Sequence, residues 1–217
     1  MLIDLSHTIE HGMITYDGLP APSISDFLSR EASRSRYAGG TEFHIAKIDM
    51  VANTGTYVDA PSHRFASGAD IAGLDLEALA AVPAIVLRAT GRRSIDAKDM
   101  DALMLRGKAL LIHTGWSRHW RTPAYWSNGH PFVTREAALL LAKSGVRAVG
   151  IDSYNIDDAS DGTRPAHTEL LRAGILIIEH LTNLEALPDS GTIRFFAVPP
   201  KVRGLGSFPV RAFAIVE

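Results

Sequence analysis

One short stretch, Asn53-Thr54-Gly55-Thr56-Tyr57-Val58-Asp59-Ala60-Pro61-Ser62-His63, gathers an amide, a phenol, a carboxylate and an imidazole at odd-numbered positions. Successive side chains of an extended backbone point to opposite faces, so the spacing predicts that Asn53, Tyr57, Asp59 and His63 share one face. Gly55 leaves space beside the backbone there. Pro61 lacks an N–H and stiffens the chain, which predicts that a regular strand ends close to His63. Four polar groups on one face are a burden for a core strand, because burying each without a partner costs roughly a few kcal/mol. The spacing alone also fits a plain polar strand edge that turns at Pro61.

The elements around this stretch predict an α/β protein. Leu2–Ser6 and Phe43–Met50 read as strands, the second with His44, Ala46, Ile48 and Met50 on one mostly apolar face. That neighbourhood predicts a buried, hydrogen-bonded His44 rather than a ligand. Four apolar runs follow, at 84–87, 109–112, 148–151 and 175–178. Continuous apolar runs suit strands covered on both faces. The last three end in polar residues: His113, Asp152, and Glu179 with His180. Open α/β sheets place ligands at such strand ends. Helices are predicted at 74–80 and 96–105, at 134–144 with Thr134 as cap and Gly145 as stop, and at 165–172 with Pro165 in the first turn. Residues 195–217 read as two strands around Gly204-Leu205-Gly206. All three tryptophans fall between Trp116 and Pro131, a loop that either covers a pocket for a flat substrate or is anchored by its own aromatics. His7, His11, Asp157 and Asp158 read as loop residues, the two aspartates as caps or solvated groups, and His180 as structural.

Composition narrows the function. The chain has 217 residues, 46% of them hydrophobic, a formal net charge of -2 and no cysteine. The length fits one domain over 1–217. The charge gives no basic footprint for nucleic acid, and no apolar run is long enough for a membrane span. Without cysteine, thiol catalysis and thiolate metal sites are excluded, so any metal rests on His, Asp or Glu. No secretory signal is visible at the start, and the expected location is cytoplasmic.

The central stretch resembles the signature of the cyclase family of metal-dependent hydrolases, His-x-Gly-Thr-His-x-Asp-x-Pro-x-His, which includes bacterial kynurenine formamidase and isatin hydrolase. Gly55, Thr56, Asp59, Pro61 and His63 keep that pattern, while Asn53 and Tyr57 stand where the family has metal-binding histidines. The resemblance implies a swivelling β/β/α domain with a mixed central sheet flanked by helices, usually dimeric or tetrameric. It also implies that the early loop around Gly18-Leu19-Pro20 lies over a substrate pocket. A later histidine and a glutamate twelve residues beyond it complete the family's second metal site, and His167 and Glu179 stand in that relation. Asp59, His167 and Glu179 would then hold one divalent cation, Zn or Mn, per chain, with His63 as the proton-transfer residue. In a site without its two histidines, Tyr57 would bond a substrate or a bound water.

One imidazole and two carboxylates are a sensible set for such a cation and leave a position open for water. The function expected is hydrolysis of an amide C–N bond in a small molecule, an N-formyl aromatic amine or a cyclic amide. Two alternatives stand beside it: a non-catalytic small-molecule-binding protein on the same fold, and a one-metal lyase or dehydratase. A seryl nucleophile at Ser62 is disfavoured by its orientation away from His63 and by the absence of a Gly-x-Ser-x-Gly turn.

Overall fold

The computed structural model of the chain describes all residues except Thr15 and Asp17. In chain order the strands are β1 (Leu2–Asp4), β2 (Ser23–Leu28), β3 (Ile45–Asp49), β4 (Tyr57–Asp59), β5 (Val82–Arg88), β6 (Ser94–Ile95) and β7 (Ala109–His113). They continue with β8 (Phe132–Val133), β9 (Ala148–Ile151), β10 (Leu176–Glu179), β11 (Ile193–Phe196), β12 (Ser207–Pro209) and β13 (Phe213–Val216). The α-helices are α1 (Arg30–Ser33), α2 (Arg135–Ser144) and α3 (Pro165–Arg172). The result is a mixed α/β fold around one nine-stranded sheet of order β1-β13-β11-β5-β7-β9-β10-β4-β12.

The four apolar runs become the neighbouring parallel strands β5, β7, β9 and β10. Their alternate residues serve two cores. Leu110, Ile112, Val149, Ile151 and Ile177 pack with Ala137, Leu141 and Leu170 of α2 and α3. Leu111 and Ile178 face the other way, toward Leu5, Val58 and Phe195. Both faces are therefore covered, which is why these strands carry no polar alternation. The segment after β1 ties distant parts of the sheet together. The Leu5 N–H donates to the Ala212 carbonyl, and the Leu5 carbonyl accepts from the Thr182 N–H.

Helices α2 and α3 follow the sequence signals closely. Thr134 accepts from the Ala137 N–H, and Gly145 closes α2 at φ 77°. The other two helix expectations fail. Residues 74–80 and 96–105 form only single 3-10 turns, Leu76–Ala78 and Ala97–Asp99. In the second, Asp96 and Asp99 cap one another reciprocally and close the turn after one cycle. Residues 195–217 contain three strands rather than two, because β12 leaves its neighbours to pair with β4. His44 is exposed rather than buried: β3 pairs with β2 as a separate two-stranded arm, covered on neither face, and His44 Nε2 meets Asp26 Oδ1 at 2.7 Å.

Candidate metal centre

β4 lies antiparallel between β10 and β12. Its register sets Tyr57 opposite Glu179 and Asp59 opposite Ser207, while Val58 points into the apolar core. These facing pairs are hydrogen-bonded. The Tyr57 hydroxyl donates to Glu179 Oε2 at 2.5 Å, and Ser207 Oγ donates to Asp59 Oδ1 at 2.5 Å. The four predicted side chains do converge, although not by strand alternation alone. The strand spans only Tyr57–Asp59. Gly55 turns the chain at φ 65°, where a Cβ would also come within 2.9 Å of Ile9 Cγ1. Pro61 opens a 3-10 turn through His63. Asn53, Tyr57 and His63 line one cavity of about 410 Å³ together with His167 and Glu179.

His167 comes from the first turn of α3 and is held by Asp157. The Asp157 carboxylate accepts from the Ala166 and His167 backbone N–H groups and from His167 Nδ1 at 2.6 Å. A carboxylate only accepts, so Nδ1 carries the proton and Nε2 is turned to the floor of the cavity. There it lies 3.6 Å from Asp59 Oδ2 and 3.7 Å from Glu179 Oε1. Burial alone would hold this imidazole down. The hydrogen bond that His167 donates to Asp157 and the Glu179 and Asp59 charges outweigh it, raising His167 to about 10. Burial pushes the Glu179 carboxyl up, against the pull of His167. Burial and the Glu179 and Asp59 charges push the Tyr57 phenol well above its ordinary value, so Tyr57 stays a neutral donor.

His63 approaches from the other side. Its Nδ1 lies 2.9 Å from Ser207 Oγ. The single Ser207 proton is committed to Asp59, so His63 donates from Nδ1 and keeps the Nε2 lone pair free. Asn53 Nδ2 also donates to Ser207 Oγ, at 3.3 Å.

The donor set fits a divalent cation. Asp59 is fully buried, and its Oδ2 has no hydrogen-bond partner among the described residues. An orphaned carboxylate oxygen is costly unless a cation meets it. Asp59, His63 and His167 each bring a ligand atom within 4.8 Å of the others. Glu179 reaches His167 but is not part of that trio, so the structure offers His63 beside Glu179 as the third candidate. The proton that His167 binds between carboxylates is the charge that a bound cation would displace.

Sequence reasoning missed three residues. Asp157 was expected to cap or solvate a loop; it is buried, accepts from the first N–H groups of α3 and orients His167. Ser207 lies far along the chain and enters only because β12 pairs with β4. Asn155, buried at the rim, accepts from the Asp157 N–H through Oδ1 and lines the cavity. Tyr57 bonds Glu179, where a contact to substrate or water was expected. Asp152 fixes a loop by accepting from the backbone N–H groups of Thr114 and Gly115. His113 meets Arg88 Nη1. Gly18 and Leu19 of the early loop do line the cavity.

The tryptophans do not line it. Trp116 Nε1 donates to the Tyr125 carbonyl, and Trp120 stacks on His7 at 3.8 Å, so the loop is anchored by its aromatics. His7 is therefore no ordinary loop residue. Burial lowers His7 to about 4 and His180 to about 3, from an ordinary 6.5. Both stay neutral in the folded chain while the unfolded chain takes up protons below about pH 6.5. Each then costs about 1.4 kcal/mol of stability per pH unit as pH falls, until its folded value is reached. Urea unfolding at pH 7 and pH 5 should show this loss, partly offset by the raised Glu179 carboxyl, which takes up a proton in the folded chain over the same range, and it should be smaller in His7→Phe, which keeps a ring against Trp120. An equal loss in that variant would show that His7 does not contribute.

A mixed α/β sheet thus carries, at a strand end, a buried histidine-carboxylate cluster whose donors suit a divalent cation. The chain belongs to the cyclase family of hydrolases: the Cyclase family model matches residues 3–158. It is 30% identical over 211 residues to the kynurenine formamidase of Bacillus cytotoxicus, covering 97% of this chain and 95% of that one. Against the kynurenine formamidase of Geobacillus thermodenitrificans it is 34% identical over 171 residues, 78% of each chain. A solved potential metal-dependent hydrolase with cyclase activity superposes with TM-score 0.80 at 28% identity, over 99% of this chain and 96% of that one. Isatin hydrolase A of Labrenzia aggregata shares the fold, with TM-score 0.83 at 22% identity over 100% of this chain and 93% of that one. No helix among the described residues is long and apolar enough to cross a membrane.

Proposed function

We propose that this chain hydrolyses the amide C–N bond of an N-formyl aromatic amine or a cyclic amide, with one divalent cation, Zn or Mn, held by Asp59, His167 and Glu179. The observation that carries the reading is the buried Asp59 Oδ2, without a hydrogen bond among the described residues and 3.6 Å from His167 Nε2. The relatives named kynurenine formamidase and the isatin hydrolases support this choice of substrate class. The cation would supply Lewis-acid polarisation and a lowered water pKa. His63, with Nε2 free at the cavity wall, takes the proton from the attacking water and returns it to the leaving nitrogen, so the amide becomes a carboxylate and an amine. Asp157 and the neutral Tyr57 keep His167 and Glu179 in place. Protein purified without chelator should contain about one equivalent of metal and cleave a panel of formanilides, imides or lactams, with activity lost on chelation and restored by Zn or Mn. Metal-free protein that neither binds Zn nor cleaves the panel would favour a binding protein on the same fold. A cytoplasmic setting belongs to the same proposal and is checked by cell fractionation.

The departures from the family signature give a sharp expected outcome. Asn53 and Tyr57 line the same cavity as His167 and Glu179, and both hydrogen-bond neighbours, Ser207 and Glu179. Asn53→His with Tyr57→His should add two imidazoles beside Asp59 and raise Zn binding to about two per chain. Titration of the metal-free, folded double variant measures this, and unchanged stoichiometry would mean that the positions do not converge on a second ion.

We propose a homodimer or homotetramer. The support is the β2–β3 arm, which exposes Phe27, Phe43, Ile45 and Ile48 to solvent. A two-stranded hairpin is marginal alone in water, and a cluster of exposed apolar residues marks an interface. Light scattering should give at least a dimer at micromolar concentration, and Phe27→Asp with Ile48→Asp should yield monomer. A wild-type monomer refutes it.

A further inference from the structure

We propose that the mouth of the cavity is an anion subsite built by Arg64 and Arg164, so that the preferred substrate is an aryl amide bearing a carboxylate. The choice of amide rests on the hydrolase proposal; the anion subsite does not. Both arginines line the cavity that holds His63, His167 and Glu179. Neither forms a salt bridge among the described residues, whereas Arg88, Arg92, Arg93 and Arg121 each pair with a carboxylate.

Both are tied to α3. Arg64 Nε donates to Thr168 Oγ1 at 3.3 Å, and Arg164 is the residue immediately before the helix. Arg164 Nη1 donates to the backbone carbonyl of Asp158, which aims the guanidinium without neutralising it. Among the described residues the nearby carboxylates have other hydrogen-bond partners: Asp158 has Arg93 and Ser160, Asp161 has Thr163, Asp59 has Ser207 and Glu179 has Tyr57. Two guanidinium groups without a salt bridge among the described residues thus stand at the rim of the cavity.

The backbone adds an independent observation. Arg164 sits at φ 48°, ψ 61°, the left-handed region that costs a non-glycine residue free energy. Glycine would adopt this conformation freely before Pro165.

The test compares 2-formamidobenzoate with formanilide, and their products anthranilate and aniline. Wild type should show a kcat/KM for the carboxylated amide roughly 10- to 100-fold above that for formanilide, carried mainly by KM. In Arg64→Gln with Arg164→Gln that ratio should fall at least about tenfold, and Arg164→Lys should retain part of it. Calorimetry should show anthranilate binding more tightly than aniline, and weakening in the same variants. Arg164→Gly removes the charge and the strain together, so a lost preference in a variant at least as stable as wild type separates charge from misfolding. Equal kcat/KM for both amides in wild type, or a preference that survives the double glutamine variant, overturns the subsite. Arginine-dependent anthranilate binding with no cleavage of either amide would support the subsite and sink the hydrolase proposal.

Discussion

His167→Ala should bind no stoichiometric divalent cation and should lose at least about 10³-fold in amide hydrolysis, since Lewis-acid polarisation and water activation together supply several kcal/mol. The expectation follows from position. His167 Nε2 lies near both Asp59 Oδ2 and Glu179 Oε1, at 3.6 and 3.7 Å. Alanine leaves two buried carboxylates facing each other, which raises their proton affinity and weakens them as ligands. A milder companion is Asp157→Asn. Its carboxylate takes three donors from α3 and His167. An amide nitrogen in place of one oxygen must oppose one of those donors, so metal affinity should fall about 10- to 100-fold. Elemental analysis and Zn titration of both variants, each checked for folding, measure the pair. A full equivalent of tightly held metal in His167→Ala would remove His167 from the ligand set.

His63→Ala should lower kcat by about 10² to 10⁴ while leaving one metal per chain. His63 is half-exposed and held through Ser207, which suits a group that must change protonation during turnover. Its inclusion within 4.8 Å of Asp59 and His167 gives the experiment a second readout. A variant that is inactive because its metal is gone makes His63 a ligand in place of Glu179. A variant that keeps its metal and its rate takes His63 out of the mechanism.

The sequence was legible where local spacing carries the physics. The apolar runs announced the covered strands, and Thr134, Gly145 and Pro165 announced α2 and α3. The clustering of Asn53, Tyr57, Asp59 and His63 was legible too, although a glycine turn and a 3-10 turn deliver it as much as alternation does. What stayed hidden depends on tertiary pairing. Ser207 reaches Asp59 only across the β4–β12 register, 148 residues apart in sequence. The role of Asp157 depends on how the loop before α3 folds back on its helix. His44 looked buried because its strand has an apolar face, yet that strand joined the arm and not the main sheet. Residues 96–105 have apolar residues at helical spacing, but a reciprocal cap ended the turn, and Met100 and Leu105 reached the core without a helix.

The position of β4 between β10 and β12 has a consequence for any preparation of this protein. Val58 is embedded in the core, while Tyr57 and Asp59 on either side of it furnish the cavity floor. A slip of one residue in this strand would send a carboxylate and a phenol into apolar packing and lift Val58 into the cavity. No stable, well-packed chain can carry a misassembled floor. At saturating metal the folded fraction and the competent fraction of a sample are therefore one quantity, and specific activity should track the amplitude of the cooperative unfolding transition from batch to batch.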